Sequence, residues 1–181
     1  GAALCWTGRW CNRMPSRSVA DLYPVVAEKA RIFRVKAAEI GHPVLITCTY
    51  RSHSEQEADY AKGRTTPGPL CLHAGESRPI GTCTEHPLGK PVTNARGGQS
   101  SHQYGLAFDC VPVDDAGRPL WNTTVATWLK LWKIAEEVGL DALGAPWGEY
   151  VSWDPGHCGE PGWKHLKEIA AAWVKERGLP A

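Results

Sequence analysis

Residues 100–109 read Ser-Ser-His-Gln-Tyr-Gly-Leu-Ala-Phe-Asp, and their polar and apolar parts sit oddly together. Asp109 falls inside an otherwise apolar, strand-like run, where a carboxylate buried without a partner is costly. A bound cation would compensate that charge. Gly105 relaxes the backbone enough to bring His102 round to the same ion. The ordinary alternative is a buried Asp that hydrogen-bonds a turn, beside a surface His. A zinc site of catalytic type takes three protein ligands and leaves one position open to water, so a third ligand must come from elsewhere in the chain. Residues 147–157, Trp-Gly-Glu-Tyr-Val-Ser-Trp-Asp-Pro-Gly-His, place the Asp154 carboxylate three positions before the His157 imidazole. That pair could supply a ligand and a general base together. His165 competes as the ligand, whereas His42, His53, His73 and His86 read as ordinary exposed or loop histidines.

The elements that must position these groups follow from periodicity. Ser18 and Asp21 read as a capping box, and Leu22, Val26, Ala30, Phe33, Ala37 and Ile40 then draw one apolar stripe on a helix ending at Gly41. Residues 44–49 are a short β-branched run, a buried strand that delivers Arg51 at its end. Ser52 and Glu55 form a second capping box, opening a short helix that stops near Gly63. From 65 to 98 the chain is rich in Gly, Pro, Thr and His without sustained period, which marks a long irregular loop. Residues 104–113 are strand-like and interrupted by Gly105. Thr123 or Thr124 caps a helix with Trp128, Leu131, Trp132, Ala135 and Val138 on one face. A last helix over 164–177 is expected to bury Leu166, Ile169, Ala170, Trp173 and Val174. Helices at both ends and in the middle, with short strands between, make an α+β domain.

Composition bounds the rest. The 181 residues carry 20 Lys+Arg against 19 Asp+Glu, a net charge of +1, and 43% are hydrophobic. This fits one domain with a single core and gives no bulk attraction for nucleic acid. No apolar run approaches the roughly 18 to 20 residues that span a bilayer, and the first ten residues lack the order of a signal peptide. Seven Cys is high for a reducing compartment, yet no Cys-x-x-Cys pair occurs, which argues against a zinc ribbon or finger. Local staples Cys5–Cys11 and Cys71–Cys83 fit the spacing, with Cys48, Cys110 and Cys158 either buried thiols or partly bridged.

Ser-x-His-x-x-Gly-x-Ala-x-Asp, present at Ser100, His102, Gly105, Ala107 and Asp109, resembles the signature of the zinc D,D-carboxypeptidase and L-alanyl-D-glutamate endopeptidase family, which includes VanX, VanY and many phage endolysins. Tyr50-Arg51-Ser52-His53-Ser54-Glu55-Gln56, Tyr60-Ala61-Lys62-Gly63-Arg64-Thr65 and Val92-Thr93-Asn94-Ala95-Arg96-Gly97-Gly98-Gln99 are similar to its endopeptidase branch in order and spacing. The resemblance covers most of 18–175. It implies a small antiparallel sheet flanked by helices around a zinc-binding cleft, the hedgehog and D,D-peptidase type of fold. It divides the chain into a Cys-containing segment, 1–17, and a peptidase domain, 18–181, with an insertion at about 66–91.

Carried over by position, the resemblance makes His102, Asp109 and His157 the zinc ligands and Asp154 the base. It sets Arg51 at the cleft to stabilise the developing oxyanion; a salt bridge to Glu55 or another acid is the structural alternative. Gln56 would orient substrate or cap its helix, and Ser100 would hydrogen-bond near the site. The family's Asp-x-Pro-His-Phe ending is here Asp154-Pro155-Gly156-His157-Cys158, so Gly156 stands for the usual Pro and Cys158 for the usual aromatic. Glu149 and Glu160 are competing bases. The implied substrate is the stem peptide of bacterial peptidoglycan, cut at L-alanyl-D-glutamate or a neighbouring bond. The alternatives are a D-alanyl-D-alanine carboxypeptidase and a zinc-containing wall-binding module without hydrolysis. The expected setting is the cell wall, periplasmic or extracellular, a phage lysin included, and the expected state is a monomer without an integral membrane segment.

Overall fold

The structure is a computed structural model that describes residues 15–69, 81–142 and 154–180, with the backbone alone at 71–73 and 76–78. The Cys5–Cys11 pairing, the Cys71 side chain, Trp147 and Glu149 lie outside the described residues. Four helices, α1 (Pro24–Glu39), α2 (His53–Ala61), α3 (Val125–Glu137) and α4 (Lys167–Glu176), surround a sheet of β1 (Val44–Cys48), β4 (Ala107–Pro112), β5 (Asp141–Ala142) and β6 (His157–Gly159). The order is β1-β4-β6-β5 with every neighbouring pair antiparallel. The remaining strands, β2 (Cys71–His73) and β3 (Glu76–Arg78), form a separate hairpin.

The apolar stripe of α1 works as the periodicity requires: Leu22, Val26, Ala30, Phe33 and Ala37 are buried and share one core with Trp128, Leu131, Trp132 and Ala135 of α3. Phe33 meets Phe108 of β4 at 5.7 Å between ring centroids. Side chains alternate along a strand, so Phe108 and Cys110 enter this core while Asp109 turns to the opposite face. Truncating Phe33 or Phe108 to Ala would cost about 3–5 kcal/mol.

Five local expectations are corrected. Ser18 caps a single 3-10 turn, Val19–Asp21, and the α-helix proper starts at Pro24, whose fixed φ and missing N–H suit a first helical position. Ile40 and Ile169 are 45% and 60% exposed: Ile40 is the residue that ends α1, and Ile169 lies one position off the face of α4 that buries Ala170 and Val174. Residues 101–104 are a 3-10 turn, so the strand begins only at Ala107. Gly105 is no flexible hinge: it holds φ +64°, and a Cβ there would stand 2.9 Å from the Asp21 carbonyl oxygen and the Tyr23 nitrogen. It is a fixed left-handed turn with a backbone packed on it. The loop after α2 contains the β2–β3 hairpin, which its composition hid. Cys48, Cys110 and Cys158 are buried thiols.

Candidate metal centre

His102 sits in the 3-10 turn that ends at Gly105, and its carbonyl accepts the Arg51 backbone N–H at 3.3 Å. Asp109 and His157 are register partners on β4 and β6. The ladder therefore sets their side chains on one face. The turn before β6 is pinned from two sides: Trp132 Nε1 of α3 donates to the Pro155 carbonyl at 2.9 Å, and Cys110 N–H donates to the Gly156 carbonyl at 3.0 Å. An added Cβ on Gly156 would overlap the Cys110 carbonyl oxygen, which explains glycine at this point of the turn.

Three atoms converge. His102 Nε2, Asp109 Oδ1 and His157 Nδ1 lie 3.2 Å from one another on all three sides of a triangle. Ligands at 2.0–2.1 Å from a tetrahedral ion would be about 3.3–3.4 Å apart, so two imidazoles and one carboxylate already span one face of such a tetrahedron. His102 Nδ1 faces the Thr49 carbonyl at 3.2 Å, which assigns the proton to Nδ1 and leaves the Nε2 lone pair aimed at the shared centre. Asp154 Oδ2 is 3.9 Å from His157 Nδ1, beside the triangle rather than in it. Among the described residues, His157 Nε2 and Arg51 Nε are buried side-chain nitrogens without a hydrogen-bond partner.

The electrostatics fit a cation. Burial disfavours charge on His102, yet Asp109 and the neighbouring Cys48 outweigh it and push the pKa up to about 10. Burial opposes ionisation of Asp109 too, and His102 with His157 holds it well below the usual carboxylate range. A proton thus takes the electrostatic place that a metal ion would fill, and donor types, spacing and tautomer all suit one. Asp154 is raised by burial and by the Asp109 carboxylate, with partial relief from His157, His102 and Arg51.

Arg51 enters from the end of β1. Its Nη1 meets Gln56 Oε1 at 3.1 Å and Asp59 Oδ2 at 3.3 Å, and its Nη2 lies 3.8 Å from Asp109 Oδ2. Glu55 is not its partner, because that carboxylate caps α2 by accepting the Ser52 N–H at 2.7 Å. Gln56, fully buried, also donates to the Ala95 carbonyl at 2.7 Å and so ties the loop wall to α2. The resulting cleft holds about 370 Å³ and is lined by Arg51, Thr93, Ser100, His102, Asp154 and His157, among others. Asp109 and Trp163 also line it.

The two described competitors, His165 and Glu160, lie elsewhere. His165 is exposed in the 3-10 turn Trp163–His165. Glu160 is spent on Lys29, 2.6 Å away. Sequence reasoning missed Asp59 and Cys48. Asp59 lies three residues after Gln56 on α2, so the helical period could have placed both facing Arg51. Cys48 Sγ lies 3.6 Å from Arg51 Nη2 and 3.7 Å from His102 Nδ1. No sequence signal marks it, because the bulge between Ile46 and Cys48 breaks the strand alternation.

A cleft whose wall carries a His, Asp, His triangle with a carboxylate and a guanidinium beside it has the donor types of a candidate hydrolytic metal site. The chain matches the VanY family, described as D-alanyl-D-alanine carboxypeptidase, over residues 20–156, and it belongs to that family. It is 30% identical over 138 residues, 72% of this chain and 70% of the relative, to the peptidoglycan L-alanyl-D-glutamate endopeptidase CwlK of Bacillus subtilis strain 168. Among solved structures, a VanY D,D-pentapeptidase variant in complex with Zn(II) aligns at TM-score 0.52 and 18% identity, covering 88% of this chain and 80% of that one. VanYB in complex with D-alanine-D-alanine aligns at 0.51 and 18%, covering 88% and 79%. The LdcB LD-carboxypeptidase aligns at 0.49 and 17%, and this chain spans 65% of its length. The small antiparallel sheet with flanking helices is thus the VanY fold.

Proposed function

We propose that this chain is a zinc-dependent peptidase that hydrolyses stem peptides of bacterial peptidoglycan, with His102, Asp109 and His157 as the metal ligands. The observation that carries the reading is the 3.2 Å triangle of two imidazole nitrogens and one carboxylate oxygen at the floor of a cleft. Zinc held there would polarise the scissile carbonyl and make its bound water acidic. The chain's own residues do the rest. Asp154 accepts the proton of the attacking water and returns it to the leaving amine nitrogen. Burial and the Asp109 charge hold the Asp154 carboxyl above its ordinary value, which suits a group that must both take and give a proton. Arg51, fixed by Asp59 and Gln56, presents a cation where oxyanion charge develops. Gln56 positions Arg51 and the Ala95 wall. Ser100, on the cleft wall, is a hydrogen-bonding group for substrate.

The endopeptidase cut at L-alanyl-D-glutamate is the preferred bond, supported by the CwlK relative. The description of the VanY family supports a second reading, release of a terminal D-alanine. Action at the cell wall, periplasmic or extracellular, follows from either substrate, and a phage lysin is one such setting. No described helix is long and apolar enough to cross a membrane. Mass analysis of products from purified muropeptides, before and after chelation and zinc return, tests the proposal. Stem peptides freed at L-alanine are expected, lost with chelator and restored with zinc. Loss of a single alanine instead selects the carboxypeptidase. Wall binding with no product in zinc leaves a non-catalytic module.

A further inference from the structure

Trp163 lines the cleft, and no step of the hydrolysis uses it. Among the described lining residues it is the one large apolar ring, in a wall of hydroxyls, imidazoles and charges such as Ser100, His102 and Asp154. Those polar groups suit the amides and carboxylates of a peptide. An indole suits a flat surface of C–H bonds.

The two elements that carry the imidazoles also fix this ring. β6, with His157, ends at Gly159, and Glu160 N–H then donates to the Leu106 carbonyl at 2.9 Å. Trp163 N–H donates back to the Glu160 carbonyl at 3.1 Å, so the indole follows the strand after one tight turn. From the other side comes Tyr104, two residues after His102 in the same 3-10 turn. Its ring stacks on the indole, with 5.9 Å between centroids and 24° between planes. The Tyr104 hydroxyl and Lys167 Nζ both donate to the Gly98 carbonyl at 3.1 Å, which ties the stack to the loop leading into Ser100. With one face covered by Tyr104, the half-buried indole offers the cleft its edge and opposite face. A ring held in advance loses little freedom on binding.

The chemistry of the substrate says what such a ring meets. A stem peptide starts on the lactyl group of N-acetylmuramic acid. In a cut at L-alanyl-D-glutamate only the alanine separates the scissile bond from that group, about 3.3–3.6 Å of extended chain. The sugar then reaches the wall of a cleft of about 370 Å³. Release of a terminal D-alanine from a pentapeptide puts four residues between, about 13–14 Å when extended, and leaves the sugar outside. Alanine methyls and glutamate carboxylates have no flat face, whereas a pyranose ring has one. The rival occupant is the ammonium group of a diamino acid at the third position, which an indole would hold as a cation.

We propose that Trp163 is a specificity residue whose indole stacks on the N-acetylmuramoyl ring preceding L-alanine, so that the cleft favours glycan-borne stems over free peptides. The inference rests on the endopeptidase reading and adds the sugar to it.

The test compares N-acetylmuramoyl-L-alanyl-D-isoglutamine with L-alanyl-D-isoglutamine, by calorimetry on the zinc-loaded Asp154→Asn chain. The sugar-bearing ligand should bind about tenfold more tightly, the size of one aromatic contact. Adding Trp163→Leu, which keeps apolar bulk without a flat face, should bring the ratio near one, and Trp163→Phe should keep part of it. Equal affinity for the two ligands with Trp163 intact would overturn the subsite whether or not the Trp163 variants fold. A ratio unmoved in folded Trp163→Leu would do the same. So would a loss shared equally by both ligands, which marks packing against the core that Trp163 borders, or a Trp163 effect seen only once lysine is added as the third residue. Cleavage by the wild type is read separately. Ligands that bind in the expected ratio and stay uncut would support the sugar subsite and sink the hydrolytic reading.

Discussion

Arg51 Nη2 lies 3.8 Å from Asp109 Oδ2, while the other oxygen of that carboxylate faces both imidazoles. The guanidinium therefore backs the proposed ligand Asp109 and borders the cleft at once. Arg51→Ala should lower kcat by about 10²- to 10³-fold, the usual cost of one oxyanion donor, with zinc content unchanged. Arg51→Lys should recover little, since an ammonium cannot reproduce the fork held by Asp59 and Gln56. Turnover and metal content measured on one preparation check this. Loss of zinc with activity would make Arg51 a support for Asp109 instead.

Asp154 stands outside the triangle, 3.9 Å from His157 Nδ1. Asp154→Asn keeps the shape and removes the base, so kcat should fall by about 10²- to 10⁴-fold while zinc stays bound. His157→Ala should lose both. Unchanged kinetics in Asp154→Asn would move the base to another residue.

Gly156 occupies a position where a side chain meets the Cys110 carbonyl oxygen. Gly156→Ala should destabilise the fold by about 1–3 kcal/mol, the range for forcing extra atoms into a packed site. Thermal melting checks it, and an unchanged midpoint would mean that the turn yields easily. Gly156→Pro, the residue more usual in the family signature, should be no better tolerated here.

Tyr50 donates its hydroxyl to the Pro180 carbonyl at 2.6 Å, tying the end of β1 to the C-terminal residues. Burial first, then the charges of Glu55 and Asp21, raise its pKa from 10.0 to about 12. An unfolded chain releases this proton near pH 10 and the folded one near 12. The Tyr50 contribution is therefore whole below about 10 and is lost as pH rises to about 12. Tyr50→Phe should cost about 1 kcal/mol at neutral pH and flatten the alkaline slope of stability, read by denaturant titration at several pH values.

Periodicity made much of the fold legible. The stripe from Leu22 to Ala37, the α2 capping box at Ser52 and Glu55 and the α3 face are local patterns, and local patterns survive folding. The convergence of His102, Asp109 and His157 came from a sequence signature and from the cost of a lone buried carboxylate. Their spacing alone did not require it. What stayed hidden depends on distant partners. Gly105 looked like slack in the chain until Asp21 and Tyr23 packed on it, and Glu160 looked like a base until Lys29 claimed it. The hairpin after α2 is short, and a three-residue strand shows no alternation to read.

The facing of Asp109 and His157 across β4 and β6 carries one further consequence. A one-residue slip between the strands would send one of these donors to the other side of the sheet. The relative placement of Asp109 and His157 is thus inherited from main-chain pairing. On the proposed reading, chelated protein should keep the triangle poised and take up zinc without refolding.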